Sequence, residues 1–171
     1  MNIMIASDIH GSAYYCGEMI SAFEREKPEK LLLLGDILYH GPRNDLPRDY
    51  APKEVAAMLN SIKGSVLCIR GNCDSEVDQM MLEFPIMAED CVLYANGRTI
   101  YAAHGHHERP ALSESDIYLQ GHTHIPTWEG VLNPGSVSIP KNNTPHSYMI
   151  LNDYGFTWKS LDGEIYHALN I

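Results

Sequence analysis

Five short apolar runs, at 3–6, 30–34, 66–69, 99–103 and 117–120, are each followed almost at once by side chains able to bind a cation. Asp8 and His10 follow the first, Asp36 the second, Asn72 the third, His104 the fourth, and His122 with His124 the fifth. Runs so short and so uninterrupted fit strands buried on both faces. Residues at the carboxyl ends of neighbouring strands fall along one rim of the sheet, which is where open α/β sheets bind ligands. In extended chain, residues two apart point the same way, so Asp8 can converge with His10, and His122 with His124.

Taken singly, each of these motifs is ordinary. Gly-Asp and Gly-Asn after a strand are usual turn chemistry, and a lone histidine after a strand is more often a hydrogen-bonded side chain than a ligand. Their joint occurrence at five successive strand ends is what points to a metal centre, because scattered histidines and carboxylates have no reason to share a rim. Gly35, Gly71, Gly105 and Gly121 stand beside the ligands, where sharp turns and close backbone approach suit a residue without Cβ.

The rest of the chain supplies the frame. Apolar residues at helical spacing (Met19, Ile20, Phe23; Val55, Met58, Leu59, Ile62) predict helices over 14–26 and 53–62, and with the first three runs they read as βαβαβ. Downstream, 91–94 and 99–103 flank Asn96-Gly97, a hairpin signal. A second hairpin is expected from 147–151 and 156–161, with Asp162-Gly163 turning into a last strand. The expectation is an α/β fold in which two β-sheets pack face to face and are flanked by helices, in a single domain over 1–171. Residues 41–52, rich in proline, read as a long surface loop.

With 22 acidic and 12 basic residues the net charge is −10, which argues against a broad basic surface, so no stable nucleic-acid partner is expected. No stretch has the roughly 20 apolar residues of a membrane span, and the first residues lack a secretory pattern. The four cysteines form no CxxC pair and are expected as reduced thiols in a cytoplasmic protein.

The ordered set DxH (Asp8, His10), GD (Asp36), GNxD (Gly71, Asn72, Asp74), HG (His104, Gly105) and GHTHxP (Gly121 to Pro126), with Asn-Pro-Gly-Ser at 133–136, resembles the calcineurin-like metallophosphoesterase superfamily. Within it, the short chain is similar to the small bacterial and archaeal phosphodiesterases of the YfcE type. The resemblance implies an αββα sandwich and a binuclear centre. Asp8, His10 and His124 would hold one divalent ion, Asn72, His104 and His122 the other, and Asp36 would bridge them. Carboxylate, imidazole and amide oxygen suit Mn²⁺ first, with Zn²⁺ or Fe as alternatives. It implies hydrolysis of a small phosphodiester by attack of a hydroxide that bridges the two ions. A phosphomonoesterase, a protein phosphatase, or a scaffold with the same fold, as in the retromer subunit similar to this family, are the competing readings.

One position departs from the commoner superfamily pattern. Many members read GNHD, whose histidine helps protonate the leaving group, whereas here Cys73 stands between Asn72 and Asp74. A thiol, with an ordinary pKa near ~8.5, is a weaker proton donor than imidazolium. Diesters with acidic leaving groups are therefore expected as substrates, with Cys73 either a catalytic thiol or a passive small residue. Asp74 is read as a partner that orients a ligand histidine or as a turn aspartate. His107 is read as a catalytic group, and His106 and Arg43 as substrate contacts, against the alternative of polar loop residues. His40 and Arg48, like Arg43, lie in or beside the proline-rich loop. Tyr14, Tyr15, Met80, Met81 and Phe84 are either core or the surface of a homo-oligomer.

Overall fold

Alternation along the first strand divides the molecule. In the computed structural model, which describes residues 1–171, strand β1 (Ile3–Ala6) turns Met4 and Ala6 to one face and Ile3 and Ile5 to the other, all buried. Met4 and Ala6 join a core with Cys16, Met19 and Ala22 of α1 (Ala13–Glu26) and Val55 and Leu59 of α2 (Pro52–Ser61). Ile3 and Ile5 join a second core with Ile100, Ala102, Leu119 and Trp158. A strand buried on both faces cannot alternate polar with apolar, which is why its sequence is an unbroken apolar run.

The larger sheet has six strands in the order β3-β2-β1-β7-β8-β9, where β2 is Lys30–Leu33, β3 Val66–Cys68, β7 Ser147–Asn152, β8 Gly155–Ser160 and β9 Ile165–Asn170. The first three strands are parallel and are linked by α1 and α2; β7 then pairs antiparallel with β1. The smaller sheet has β4 (Asp90–Ala95), β5 (Arg98–Ala103) and β6 (Ile117–Leu119). The β4–β5 hairpin closes through Asn96 and Gly97, both at positive φ, as a two-residue turn matched to strand twist requires. Two facing sheets flanked by helices are what the sequence led one to expect, and predicted element ends lie within one or two residues of the observed ones.

One α-helix was not anticipated, nor was a single 3-10 turn at Lys63–Ser65 between α2 and β3. A short helix, α3 (Glu76–Met81), starts at a capping box: Ser75 accepts from the Asp78 amide, and the Asp78 carboxylate accepts from that of Ser75. Ser-x-x-Asp is a legible signal, but α3 buries no residue and so shows no apolar period. Met80 and Met81 on it are exposed, while Phe84 just beyond is core. Residues 41–51 form the expected loop, fastened where Ala13 and Ala51 donate to the carbonyls of Asp49 and Gly11. No helix is long and apolar enough to cross a membrane.

Candidate metal centre

All seven ligand-type residues meet at the carboxyl ends of β1, β2, β3, β5 and β6. Asp8 Oδ1 lies 3.3 Å from His124 Nε2 and 3.6 Å from His10 Nε2. Asp36 Oδ2 lies 3.4 Å from His104 Nε2 and 3.6 Å from His10 Nε2, so one carboxylate oxygen faces both halves of the cluster. The Oδ1 of Asn72 is 3.1 Å, and the Nδ1 of His122 3.2 Å, from His104 Nε2. Two groups result, Asp8-His10-His124 and Asp36-His104-His122, with Asn72 beside the second.

The tautomers follow from the backbone. The Nδ1 atoms of His10, His104 and His124 donate to the carbonyls of Tyr39, Leu34 and Ile139 at 2.9, 2.6 and 2.8 Å. In the neutral rings this leaves each Nε2 with a bare lone pair aimed inward, the arrangement that outer partners impose on metal-binding histidines. Asp8 Oδ1 is buried and has no hydrogen-bond donor. Lone pairs facing lone pairs in a buried pocket fit a divalent cation better than any proton arrangement of neutral rings.

Electrostatics agrees. Burial alone would raise the Asp8 carboxyl, but the imidazoles of His10 and His124 hold it far below the usual range. Burial opposes charge on His104, yet its bond to Asp36 and the field of Asp8 push it up to about 9. The pocket thus draws positive charge onto its own histidines, a demand a cation would satisfy.

The local backbone is strained in a consistent way. Asp8, His10, Asp36, His122 and His124 all have φ between 49° and 65°. Side chains other than glycine enter this left-handed region at a cost of about 1–3 kcal/mol each, and such residues gather at functional sites. The unusual angles expected of the neighbouring glycines are found at Gly35 and Gly105, with φ of 94° and 105°, but not at Gly71 or Gly121, and five of the ligands share them. Gly71 serves instead by close approach: a Cβ there would lie 2.1 Å from Asp36 Oδ1.

The supporting residues differ in part from expectation. Asp74 touches no ligand histidine; its buried carboxylate accepts from the backbone N–H of Asp36, Ile37 and Gly71 at 2.8, 2.8 and 2.7 Å. It is an anchor that ties the Asp36 turn to the Asn72 turn. Asn133 and Ser136, whose role the sequence left open, hold the other side: the Asn133 amide donates to Gly121 O, and the Ser136 and Ser138 hydroxyls donate to Asp8 O. Cys73 donates its backbone N–H to Asp36 Oδ1, and burial, joined by the Asp36 charge, pushes its thiol up to about 12. His106 sits 5.4 Å from the His104 ring with a buried, unpartnered Nδ1. His107 is exposed at the rim and faces Glu89 at 3.4 Å. Arg43 lines the pocket over the ligands, together with Lys141, which no sequence signal marked. Arg48 lies instead over the ring of Tyr14, and His40 packs edge-on against Tyr39 and Tyr50.

Comparison with known proteins places this geometry. Residues 1–153 match the family model described as the calcineurin-like phosphoesterase superfamily domain. The chain is 45% identical over 162 residues to phosphodiesterase YfcE of Escherichia coli strain K12, covering 90% of this chain and 88% of that protein. The solved structure of E. coli YfcE, characterised as a phosphoesterase, superposes over the whole of both chains with a TM-score of 0.95 and 41% identity. Vps29 from Entamoeba histolytica, solved with Zn²⁺, shares the fold at 19% identity and a TM-score of 0.60, covering 97% of this chain and 96% of that one. Motif order, rim placement and whole-chain similarity converge, and the chain belongs to the calcineurin-like phosphoesterase superfamily.

Proposed function

We propose that this protein is a metal-dependent phosphodiesterase working through two divalent cations, Mn²⁺ foremost, on small diesters with acidic leaving groups. The observation that carries the reading is the convergence of ligand-type atoms in two groups, Asp8-His10-His124 and Asp36-His104-His122, with Asp36 facing His10 as well as His104. Such ions, when bound, polarise the phosphate and lower the pKa of water. Asp8, His10 and His124 would hold one, Asn72, His104 and His122 the other. Arg43 and Lys141 add positive charge where the phosphate would lie, in a protein whose net charge is −10.

Diesters are favoured over monoesters by Cys73. A thiol at this position is a weaker proton donor toward a departing alkoxide than the imidazolium it replaces. The full ligand set favours an enzyme over a scaffold, since a scaffold has no need to hold buried, unpartnered lone pairs. The four cysteines, all free thiols, support a cytoplasmic setting.

A panel of diesters and monoesters, assayed with Mn²⁺, Zn²⁺ and Fe²⁺ in turn and with Asp36→Ala as the blank, tests the reading. Diester hydrolysis that needs metal and vanishes in the variant is expected. Activity persisting in Asp36→Ala, or confined to monoesters, overturns it.

A further inference from the structure

The pocket over the ligands, about 380 Å³, does not end at the metal centre. It shares Pro42, Arg43, Asn72 and Cys73 with a larger cleft of about 890 Å³ running between the 41–51 loop and α3. A diester bound at the centre has two organic arms, and one must leave through an opening. The cleft is the roomier exit, more than twice the volume of the pocket it adjoins.

Its walls specify what it would hold. Tyr39 and Tyr50 face it from the loop side, and Val77 and Met81 from α3. Val77 is 67% exposed and Met81 43%, apolar surface for which the fold has no internal use. Tyr39 also belongs to the centre, since its carbonyl takes the His10 Nδ1–H.

The charges are equally selective. Both carboxylates that line the cleft are committed, Asp74 to three backbone N–H groups and Asp78 to the cap of α3. Arg70 is held by Glu89 and by the Asp74 carbonyl. Arg43 and Lys53 enter none of the chain's ion pairs. In an acidic protein, the uncommitted charge of this cleft is positive, with Arg43 at its junction with the metal pocket and Lys53 at the start of α2.

We propose that this cleft is a specificity site for the longer arm of the diester, taking an aromatic ring between Tyr39, Tyr50 and Met81 and a second anionic group at Lys53. The substrate class is then a nucleotide-like phosphodiester bearing a further phosphate, not a simple alkyl diester. The proposal rests on the phosphodiesterase reading above.

Three substrates with one leaving group isolate the arm: methyl p-nitrophenyl phosphate, thymidine 5′-(p-nitrophenyl phosphate), and the latter carrying a 3′-phosphate. With the Mn²⁺-loaded enzyme, kcat/KM is expected to rise at each step, by roughly fivefold to tenfold for the added phosphate. Lys53→Ala should abolish the gain from the 3′-phosphate while keeping the gain from thymidine. Val77→Asp, at an exposed position, should reduce the gain from thymidine. Equal kcat/KM for all three substrates, or a phosphate gain that survives Lys53→Ala, overturns the proposal while leaving the phosphodiesterase reading intact. Failure to hydrolyse any of the three would sink both.

Discussion

The Nε2 atoms of His10 and His124 face each other at 3.2 Å across the pocket, and the Nδ1–H of each ring donates to a backbone carbonyl, of Tyr39 and Ile139. Two lone pairs at that distance repel unless something positive lies near both. A cation that binds only the folded state stabilises it by mass action, by about 2.7 kcal/mol at a hundredfold excess over Kd. For a chain of this size that corresponds to a rise in Tm of roughly 5–10 °C. Melting curves of EDTA-treated protein with and without Mn²⁺ should show it, and His124→Ala should lose most of it. A Tm indifferent to metal would show that the facing lone pairs hold none.

Gly71→Ala should damage the centre without touching a ligand. The new Cβ would come within 2.1 Å of Asp36 Oδ1 and 2.4 Å of Asp36 N, so Asp36 must move. The expected result is a folded protein whose Mn²⁺ content, measured after dialysis, falls below that of the parent. Retention of full metal content and activity would mean that the two turns can separate freely.

Asp74→Asn tests the anchor. A carboxylate accepts from three amides here, whereas a carboxamide offers one oxygen and turns an NH₂ toward an N–H. A loss of about 2 kcal/mol in urea unfolding is expected. If Asp74 positions Asp36 and Asn72, kcat should fall as well in the variant that remains folded. A drop in stability with unchanged kcat would reduce it to a purely structural residue.

The strand ends were readable because burial on both faces leaves an unbroken apolar run, and a run that stops abruptly marks where the chain reaches the rim. The ligands follow at those stops, so Asp8, Asp36, Asn72, His104 and His122 could be marked from the sequence, but not along the single rim expected. The first three end strands of the six-stranded sheet and the last two end strands of the three-stranded one, and the centre forms where the two sheets meet. What supports them was not readable. The carbonyls of Leu34, Tyr39 and Ile139 carry no side-chain signature, and Lys141 reaches the pocket from a turn far along the chain. The left-handed conformations of Asp8, His10 and Asp36 belong to a fold that over-determines the backbone, against local preference. Asp74 was legible as a polar residue near the centre, but its partners, 37 and 38 residues away in Ile37 and Asp36, depend on β2 and β3 being neighbours.

The Cys73 thiol predicts a steep dependence of rate on leaving group. A thiol is a weaker hydrogen-bond acid than imidazolium, so little protonation of the departing oxygen is available from this position. A plot of log kcat against leaving-group pKa for a series of aryl diesters should slope clearly downward. Cys73→His, which sets an imidazole beside Asn72, should flatten it. A flat plot for the parent, with chemistry shown to limit the rate, would mean that another group protonates the leaving oxygen.

Remote from the centre, Glu26 ties α1 to the larger sheet, and its charge gives stability a pH dependence. Both its oxygens accept from Lys159 Nζ at 2.8 Å, and Oε1 also accepts from the Tyr148 hydroxyl at 2.8 Å. Burial alone would raise this carboxyl, but Lys159 and Tyr148 outweigh it and hold it below its ordinary value of 4.5. A carboxyl whose pKa is lower in the folded than in the unfolded chain stabilises fully above the unfolded value and loses that contribution as pH falls through the folded one. Glu26→Gln should therefore cost about 2 kcal/mol at pH 7, where the charged hydrogen bonds are lost. The gap between variant and parent should narrow as pH drops below 4.5. Urea unfolding of both proteins at pH 7, 5 and 3.5 measures the gap, and a gap of constant size would show that the stabilisation at Glu26 does not depend on its charge.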